Sequence, residues 1–140
     1  MNNYEINPWE RYTIVFKALS DITRLKIMWL LLSIDSKISV SEIIDVLEEN
    51  QYNVSKHLRN LKNAGLIYEK KEGKWTFYHY RTNNDIFDKQ IRQTVLTIPR
   101  ELMLDEISRC QKRLSMRVDG KCIVGAESDE WDDLKKNNEK

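Results

Sequence analysis

The sequence predicts a mainly α-helical chain with one small β-hairpin, and three observations carry that prediction. Apolar residues recur at helical spacing in four successive segments between Trp9 and Ala64. Two runs rich in aromatic and β-branched residues, Leu66 to Lys71 and Trp75 to Arg81, then flank a Glu72-Gly73-Lys74 turn. A last, long helical pattern opens at Asp85. A length of 140 residues favours one domain with room for a real core.

Pro8 precedes Trp9, Tyr12, Val15, Phe16 and Leu19, spaced as one helix face, with Asn7 as the expected N-cap. Ser20-Asp21 interrupts, and Asp21 is a good cap for a second helix through Leu32. That helix is apolar around most of its circumference, the mark of a buried central element. Ser39 or Ser41 can cap a short third helix whose apolar residues are Val40, Ile43, Ile44 and Leu47. Glu48-Glu49-Asn50 forms a tight connection, and Asn50 caps a fourth helix with Val54, Leu58, Leu61 and Ala64 facing inward. Gly65 sits where a left-handed C-cap would end it.

After the hairpin, Phe87, Ile91, Val95, Ile98 and Leu102 continue a helical stripe that Pro99 should break or kink. Met103, Ile107, Cys110 and Leu114 extend it. Beyond Gly120 little helical pattern remains, and the polar run from Glu127 to Lys140 is expected to be disordered. Two short helices joined by a tight turn and followed by a hairpin make a winged helix-turn-helix. The first helix and the helices after the hairpin are then dimerisation helices. Residues 1–116 form the DNA-binding and dimerisation domain on this reading, and 117–140 a partly disordered carboxy-terminal extension.

Lys and Arg total 23 against 22 Asp and Glu, so the near-neutral total of +1 speaks against a nucleic-acid partner until the charges are located. Asp35 to Asn50 is net −4, Gln51 to Arg81 net +5, Arg109 to Lys121 net +4, and Glu127 to Lys140 net −3. Such segregation points to a polyanion partner for the basic segment and excludes a uniformly basic coat. No apolar run is long enough to span a bilayer, and the amino terminus lacks a secretion signal, so a cytoplasmic protein is expected. Two cysteines cannot build a disulfide framework.

Phe16-Lys17-Ala18-Leu19-Ser20-Asp21-Ile22-Thr23-Arg24-Leu25-Lys26-Ile27 resembles the helix-opening motif KALADPTRLRIL of the ArsR/SmtB family of metal-responsive repressors. Asn53-Val54-Ser55-Lys56-His57-Leu58, with Leu61 and Ala64-Gly65-Leu66-Ile67, resembles its recognition-helix motif TVSxHLxxLxxAGLV. Glu69 to Tyr78 resembles its wing, xRRxGxxxxY. Three motifs in order, from Phe16 to Tyr80, carry the resemblance. It implies a homodimeric repressor on two-fold-related operator DNA, released by a metal, metalloid or redox signal. Alternatives are a winged-helix regulator without a small-molecule inducer, and a winged helix used for protein contacts.

The departures are specific. Ile22 stands where the family usually has Pro, and Glu48-Glu49 where it has Gly at the turn. Ser39 and Ser41 replace the cysteines of the arsenic-sensing box. The Asp-x-His zinc motif of the last helix is also missing.

A recognition helix lies in the major groove with its amino-terminal residues nearest the base edges. Gln51, Tyr52, Asn53, Ser55, Lys56, Arg59 and Lys62 are therefore the candidates there, with Asn53 suited to adenine and Arg59 or Lys56 to guanine or phosphate. Lys70, Lys71 and Lys74 on the wing would contact phosphates. Trp9, Tyr12, Phe16, Phe87, Ile91 and Val95 are the candidates for the dimer interface. His57 reads as a structural imidazole, and His79 as a hairpin surface residue.

Cys110 continues an apolar stripe, and Cys122 lies in a Gly-bounded segment. The five bases around the pair favour reactive thiolates and suggest a soft-metal, metalloid or redox site, as against no cofactor at all. No GxGxxG, P-loop, HExxH or GxSxG motif occurs, and Glu42 and Asp45 lie on a polar helix face where solvation is expected. An enzyme is not expected.

Overall fold

The computed structural model describes residues 7–137. Its elements are α1 (Glu10–Ala18), α2 (Ile22–Ile34), β1 (Ile38–Ser39), α3 (Val40–Leu47), α4 (Gln51–Asn63), β2 (Ile67–Glu72), β3 (Trp75–Tyr80), α5 (Ile86–Leu96), a 3-10 turn (Arg100–Met103), α6 (Leu104–Leu114) and α7 (Asp129–Asn137).

Local capping chemistry sets most helix starts. The Asp21 carboxylate accepts from the Arg24 amide at 3.0 Å, Asn50 from the Asn53 amide at 2.8 Å, and Asp85 from the Asp88 amide at 2.8 Å. Ser39 and Glu42 form a reciprocal capping box at α3. Gly65, at φ 77, ends α4, and the Leu66 amide donates to the Leu61 carbonyl at 3.1 Å, closing the left-handed cap. Helix α2 is the hub of the core: Ile27 to Leu31 are all buried, and the Trp29 indole N–H donates to the Ile98 carbonyl at 3.1 Å. That bond holds the break at Pro99, where the apolar stripe divides into α5 and α6 as predicted.

The hairpin pairs Ile67 with Tyr80 through Glu72 with Trp75, around a two-residue turn in which Gly73 takes φ 61. Strand β1 pairs Ile38 with Tyr78 and Ser39 with Phe77, giving a three-stranded sheet of order β1-β3-β2. Two residues are too few to announce a strand in the sequence, yet β1 fixes the entry of α3 to the wing.

Three expectations are corrected. Glu42 and Asp45 are not solvated: they are 0% and 4% exposed. Arg117 binds Glu42 through Nε and Nη2, both at 2.7 Å, and Arg113 Nε binds Asp45 at 2.7 Å. Second, of the segment expected to be disordered, Glu127 to Lys140, residues 127–137 are folded against α3 and α6, and 138–140 lie outside the described residues. Arg113 Nη2 donates to the Val124 and Gly125 carbonyls at 2.6 and 3.2 Å, and the Glu127 amide donates to Asp45 at 2.8 Å. Trp131 of α7 is buried. We call residues 115–128 the strap.

Third, Ile91 and Val95, at 7% and 3% exposure, belong to the core of the single chain and are no free interface. Trp9 and Phe16 remain 72% and 58% exposed, and Tyr12 stacks edge-on to Phe87 at 4.7 Å between ring centres. Ile86, Leu102 and Leu104 add exposed apolar surface that the sequence reading did not name.

A buried charge left without its partner costs about 3–5 kcal/mol. Arg113→Met should therefore lower the unfolding free energy by about that much in urea melts, because Asp45 is orphaned. The double variant Arg113→Met/Asp45→Leu should recover most of it. Equal stability of wild type and the single variant would remove the pair from the framework.

Candidate nucleic-acid interface

The helix-turn-helix is α3, the Glu48–Asn50 turn and α4. Glu48 adopts φ 54. A left-handed backbone costs an L-residue about 1–2 kcal/mol relative to glycine, and the surrounding cap and ion pairs hold it. Its carboxylate meets Arg109 at 2.9 Å, which also donates to the Val46 carbonyl at 2.7 Å.

The inward face of α4 is Val54, Leu58 and Leu61. Its amino-terminal and outer surface presents Gln51, Tyr52, Lys56, Arg59 and Lys62 to solvent, with Asn53 and Ser55 half-buried. On the wing, Lys70, Lys71 and Lys74 are all exposed. One groove runs between these two elements, lined by Gln51 and Ser55 from α4 and by Lys71, Lys74 and Thr76 from the wing. Of the residues proposed from sequence, Gln51, Ser55, Lys71 and Lys74 share this concave face, while Tyr52, Asn53, Lys56, Arg59, Lys62 and Lys70 do not line it.

Several of them are tethered. The Asn53 side-chain amide donates to Glu49 at 3.4 Å, and Lys62 pairs with Glu69 at 3.0 Å. Glu69 also accepts from the Tyr78 hydroxyl at 3.0 Å. Hydrogen bonds from Lys62 and Tyr78 hold the Glu69 carboxyl below its ordinary range, while burial and Glu69 push the Tyr78 hydroxyl up to about 12. The bridge fastens wing to recognition helix and neutralises one of the candidate cations. Lys74 Nζ lies 4.9 Å from the Trp75 ring centre, which steadies the wing tip.

The middle of α4 is braced by His57. Arg24 Nη1 stands 3.1 Å from His57 Nδ1, and Asp21 lies 3.7 Å from the same nitrogen. Arg24 Nε in turn donates to the Ala18 carbonyl. His57 is structural, as its place beside Leu58 suggested. His79 is more engaged than a plain surface residue, since its ring stacks on Tyr80 at 4.4 Å and its Nδ1 meets the Tyr80 carbonyl oxygen at 2.9 Å.

The cysteines do not match the thiolate expectation. Burial and the nearby Glu42 push the Cys110 thiol up to about 12. The cations that flank it in sequence are committed elsewhere, Arg109 to Glu48 and Val46 and Arg113 to Asp45. Cys122 is buried, with Sγ 3.6 Å from both Ser39 Oγ and the Val124 carbonyl. Both thiols are free, and among the described residues no group of three metal-ligating side chains converges. The pair does not fit a soft-metal site within one chain.

The residues missed from sequence are those that position α3: Glu42, Asp45, Arg113 and Arg117. The basic cluster from Arg109 to Lys121 was visible, but the role of Arg109, Arg113 and Arg117 as internal partners was not.

A sequence profile described as bacterial regulatory protein, arsR family, matches residues 21–69. An uncharacterized HTH-type transcriptional regulator of Methanocaldococcus jannaschii is 37% identical over 87 residues, covering 62% of this chain and 90% of that one. The arsenical resistance operon repressor of Escherichia coli is 40% identical over 72 residues, covering 51% of this chain and 59% of that one. The chain thus spans about three fifths of the length of that relative. Reduced HlyU from Vibrio cholerae superposes with a TM-score of 0.55 at 28% identity, over 64% of this chain and 88% of that one.

A thiol held near 12 is ionised to roughly one part in ten thousand at about pH 8. Iodoacetamide should therefore leave Cys110 of the native protein unmodified by mass spectrometry, and label it on unfolding in urea. Rapid native labelling of Cys110 would overturn its assignment as a buried, inert thiol.

Proposed function

This chain belongs to the arsR family of regulatory proteins and is a DNA-binding transcriptional regulator, and from that premise we propose that it acts as a homodimeric repressor. The observation that carries the DNA-binding face is the shared groove, which sets Gln51 and Ser55 of α4 beside Lys71 and Lys74 of the wing. In this reading α4 enters the major groove, Asn53 and Arg59 address base edges, and Lys56, Lys70, Lys71 and Lys74 engage phosphates. Phosphate contacts set register and affinity, and the α4 contacts select the sequence. No described helix is long and apolar enough to cross a membrane.

The dimer reading rests on exposed apolar surface. Trp9 at the start of α1, Tyr12 and Phe16 within it, and Ile86 of α5 beside the half-buried Phe87 form an aromatic face left exposed among the described residues. A dimer built on such a face reads two-fold-related half-sites if its two α4 helices stand about one turn of DNA apart, roughly 34–36 Å. Repression fits the operon repressor of Escherichia coli among the relatives.

A duplex selected from genomic DNA tests both parts. Lys74→Ala should weaken binding and flatten the log–log salt dependence by about 0.9 for every phosphate no longer neutralised, and Arg59→Ala should weaken binding to the selected duplex more than to random sequence. Unchanged affinity and slope in both variants would remove these side chains from the interface. Phe16→Asp should give monomers in sedimentation at micromolar concentration and lose tight binding to the two-fold site while remaining folded. Monomeric wild-type protein under the same conditions would overturn the dimer.

A further inference from the structure

A cavity of about 340 Å3 lies between the strap and the sheet, sharing only Trp75 with the lining of the DNA groove. Its walls come from two distant parts of the chain. Lys37, Glu72, Trp75 and Phe77 belong to the sheet and its approach, and Gly120, Lys121, Cys122 and Ile123 to the strap.

The strap side is built by a tight corner. Val118 and Lys121 exchange both backbone hydrogen bonds, at 3.0 and 2.9 Å, around Asp119 at φ 53 and Gly120 at φ 74. Two consecutive left-handed residues are what a two-residue turn of this hand requires. The corner brings Lys121, Cys122 and Ile123 to one wall of the cavity.

The lining is mostly apolar. Phe77 is buried, Trp75 is half-buried, and the large apolar side chain of Ile123 is 54% exposed. Cys122 is occupied by its contacts to Ser39 and Val124. The charges are uneven. Lys37 bonds Glu72 at 2.6 Å and lies 4.8 Å from the Phe77 ring centre. Arg117, 5.8 Å from the same ring, is bound to Glu42. Lys121 is exposed and has no carboxylate partner among the described residues. The result is an apolar slot with one ammonium uncompensated at its mouth and its single carboxylate already neutralised.

Cavities of roughly 300–1,000 Å3 with apolar walls and a few placed polar groups are the size of small-molecule sites. The excess of positive charge disfavours a cation, and the aromatic walls disfavour a small hydrated anion such as phosphate. We propose that this cavity is an effector site for a small amphipathic carboxylate. Its apolar body lies between Trp75, Phe77 and Ile123, and its carboxylate pairs with Lys121. Occupancy bears on both halves of the DNA face. Glu72 and Trp75 bracket the Gly73-Lys74 wing tip, and Lys37 leads into Ser39, the cap of α3. The effector role rests on the DNA-binding reading above; the binding site does not.

The probe is 2-naphthoate, with 2-naphthalenemethanol as its uncharged counterpart, titrated into the full chain and followed by amide and indole NMR shifts. Naphthoate should give saturable shifts at Trp75, Lys121 and Ile123, with about tenfold weaker binding of the alcohol. Lys121→Ala, at an exposed position, should abolish that preference without disturbing the rest of the spectrum. No saturable shift, shifts centred elsewhere, or equal preference in Lys121→Ala would overturn the site.

Operator affinity is then measured with and without saturating naphthoate. A change of about fivefold or more supports coupling, and operator DNA must alter naphthoate affinity by the same factor. Unaltered operator affinity with intact naphthoate binding would overturn the effector role. Failure of the protein alone to bind any selected duplex would sink the regulator reading, while the shifts would still decide the site.

Discussion

Two guanidinium–carboxylate pairs, the fully buried Arg113 with Asp45 and the partly buried Arg117 with the buried Glu42, are the constraint on which the rest of the molecule depends. Taking four charges out of water is costly, and their mutual attraction offsets that cost only when every remaining polar valence is satisfied. Here each is. Glu42 accepts from both Arg117 nitrogens and from the Ser39 amide, and Asp45 accepts from Arg113 and the Glu127 amide. The second donor of Arg113 reaches the Val124 and Gly125 carbonyls, and that of Arg117 reaches the Lys37 carbonyl. No buried side-chain nitrogen or oxygen among the described residues is left without a partner. Helix α3 has only eight residues, too few to hold itself in water, so its place in the helix-turn-helix is set by this network.

The network also explains why the carboxy-terminal segment is folded. A polar run of low hydrophobicity does not form a core of its own, and composition correctly says so. It adheres here because Arg113 needs backbone carbonyls to complete its hydrogen bonds and the strap supplies them. Trp131 then buries its ring beyond that anchor, near Ile44 and the Glu48–Asn50 turn. The strap is therefore an extension of the α3 framework, with sheet, positioning helix and α6 meeting at one set of charges.

What was legible in the sequence was local. Asp21, Ser39, Asn50 and Asp85 cap the helices they precede because a side-chain oxygen three residues before an amide is a short-range fact. Gly65 and Gly73 take left-handed backbone where turns demand it. The α4 surface and the wing lysines were visible because a solvated cation needs no partner to be identified. Long-range placement was illegible. Glu42 looks like a solvated acid until Arg117, 75 positions away, is brought to it. Ile91 and Val95 share a stripe with Phe87, but only the approach of α2 decides that the first two are covered. The bases around Cys110 suggested an activated thiol, and three of them, Arg109, Arg113 and Arg117, prove to be turned toward carboxylates and carbonyls instead.

The same partitioning of charge bears on how a nearly neutral protein can select a DNA sequence. Non-specific affinity grows with the number of phosphates neutralised, so a chain that spent all its 23 basic residues on one face would hold any duplex tightly. Here Arg113, Arg117 and Arg109 are consumed inside, and Lys62 is bridged to Glu69. Beside the amino terminus of α4 stand Glu49 and Glu127, with Glu48 held by Arg109 and Asp132 by Lys135, around a common hollow with Asn50. A helix amino terminus attracts phosphate, and carboxylates fixed next to it oppose that attraction for every sequence alike. Base-edge contacts are not taxed in the same way, because they are short-ranged and depend on geometry. On the proposed reading, internal pairing and local acids lower the background affinity more than the specific one. The excess cations of the groove are then sufficient to position α4, and insufficient to hold it where the bases do not match.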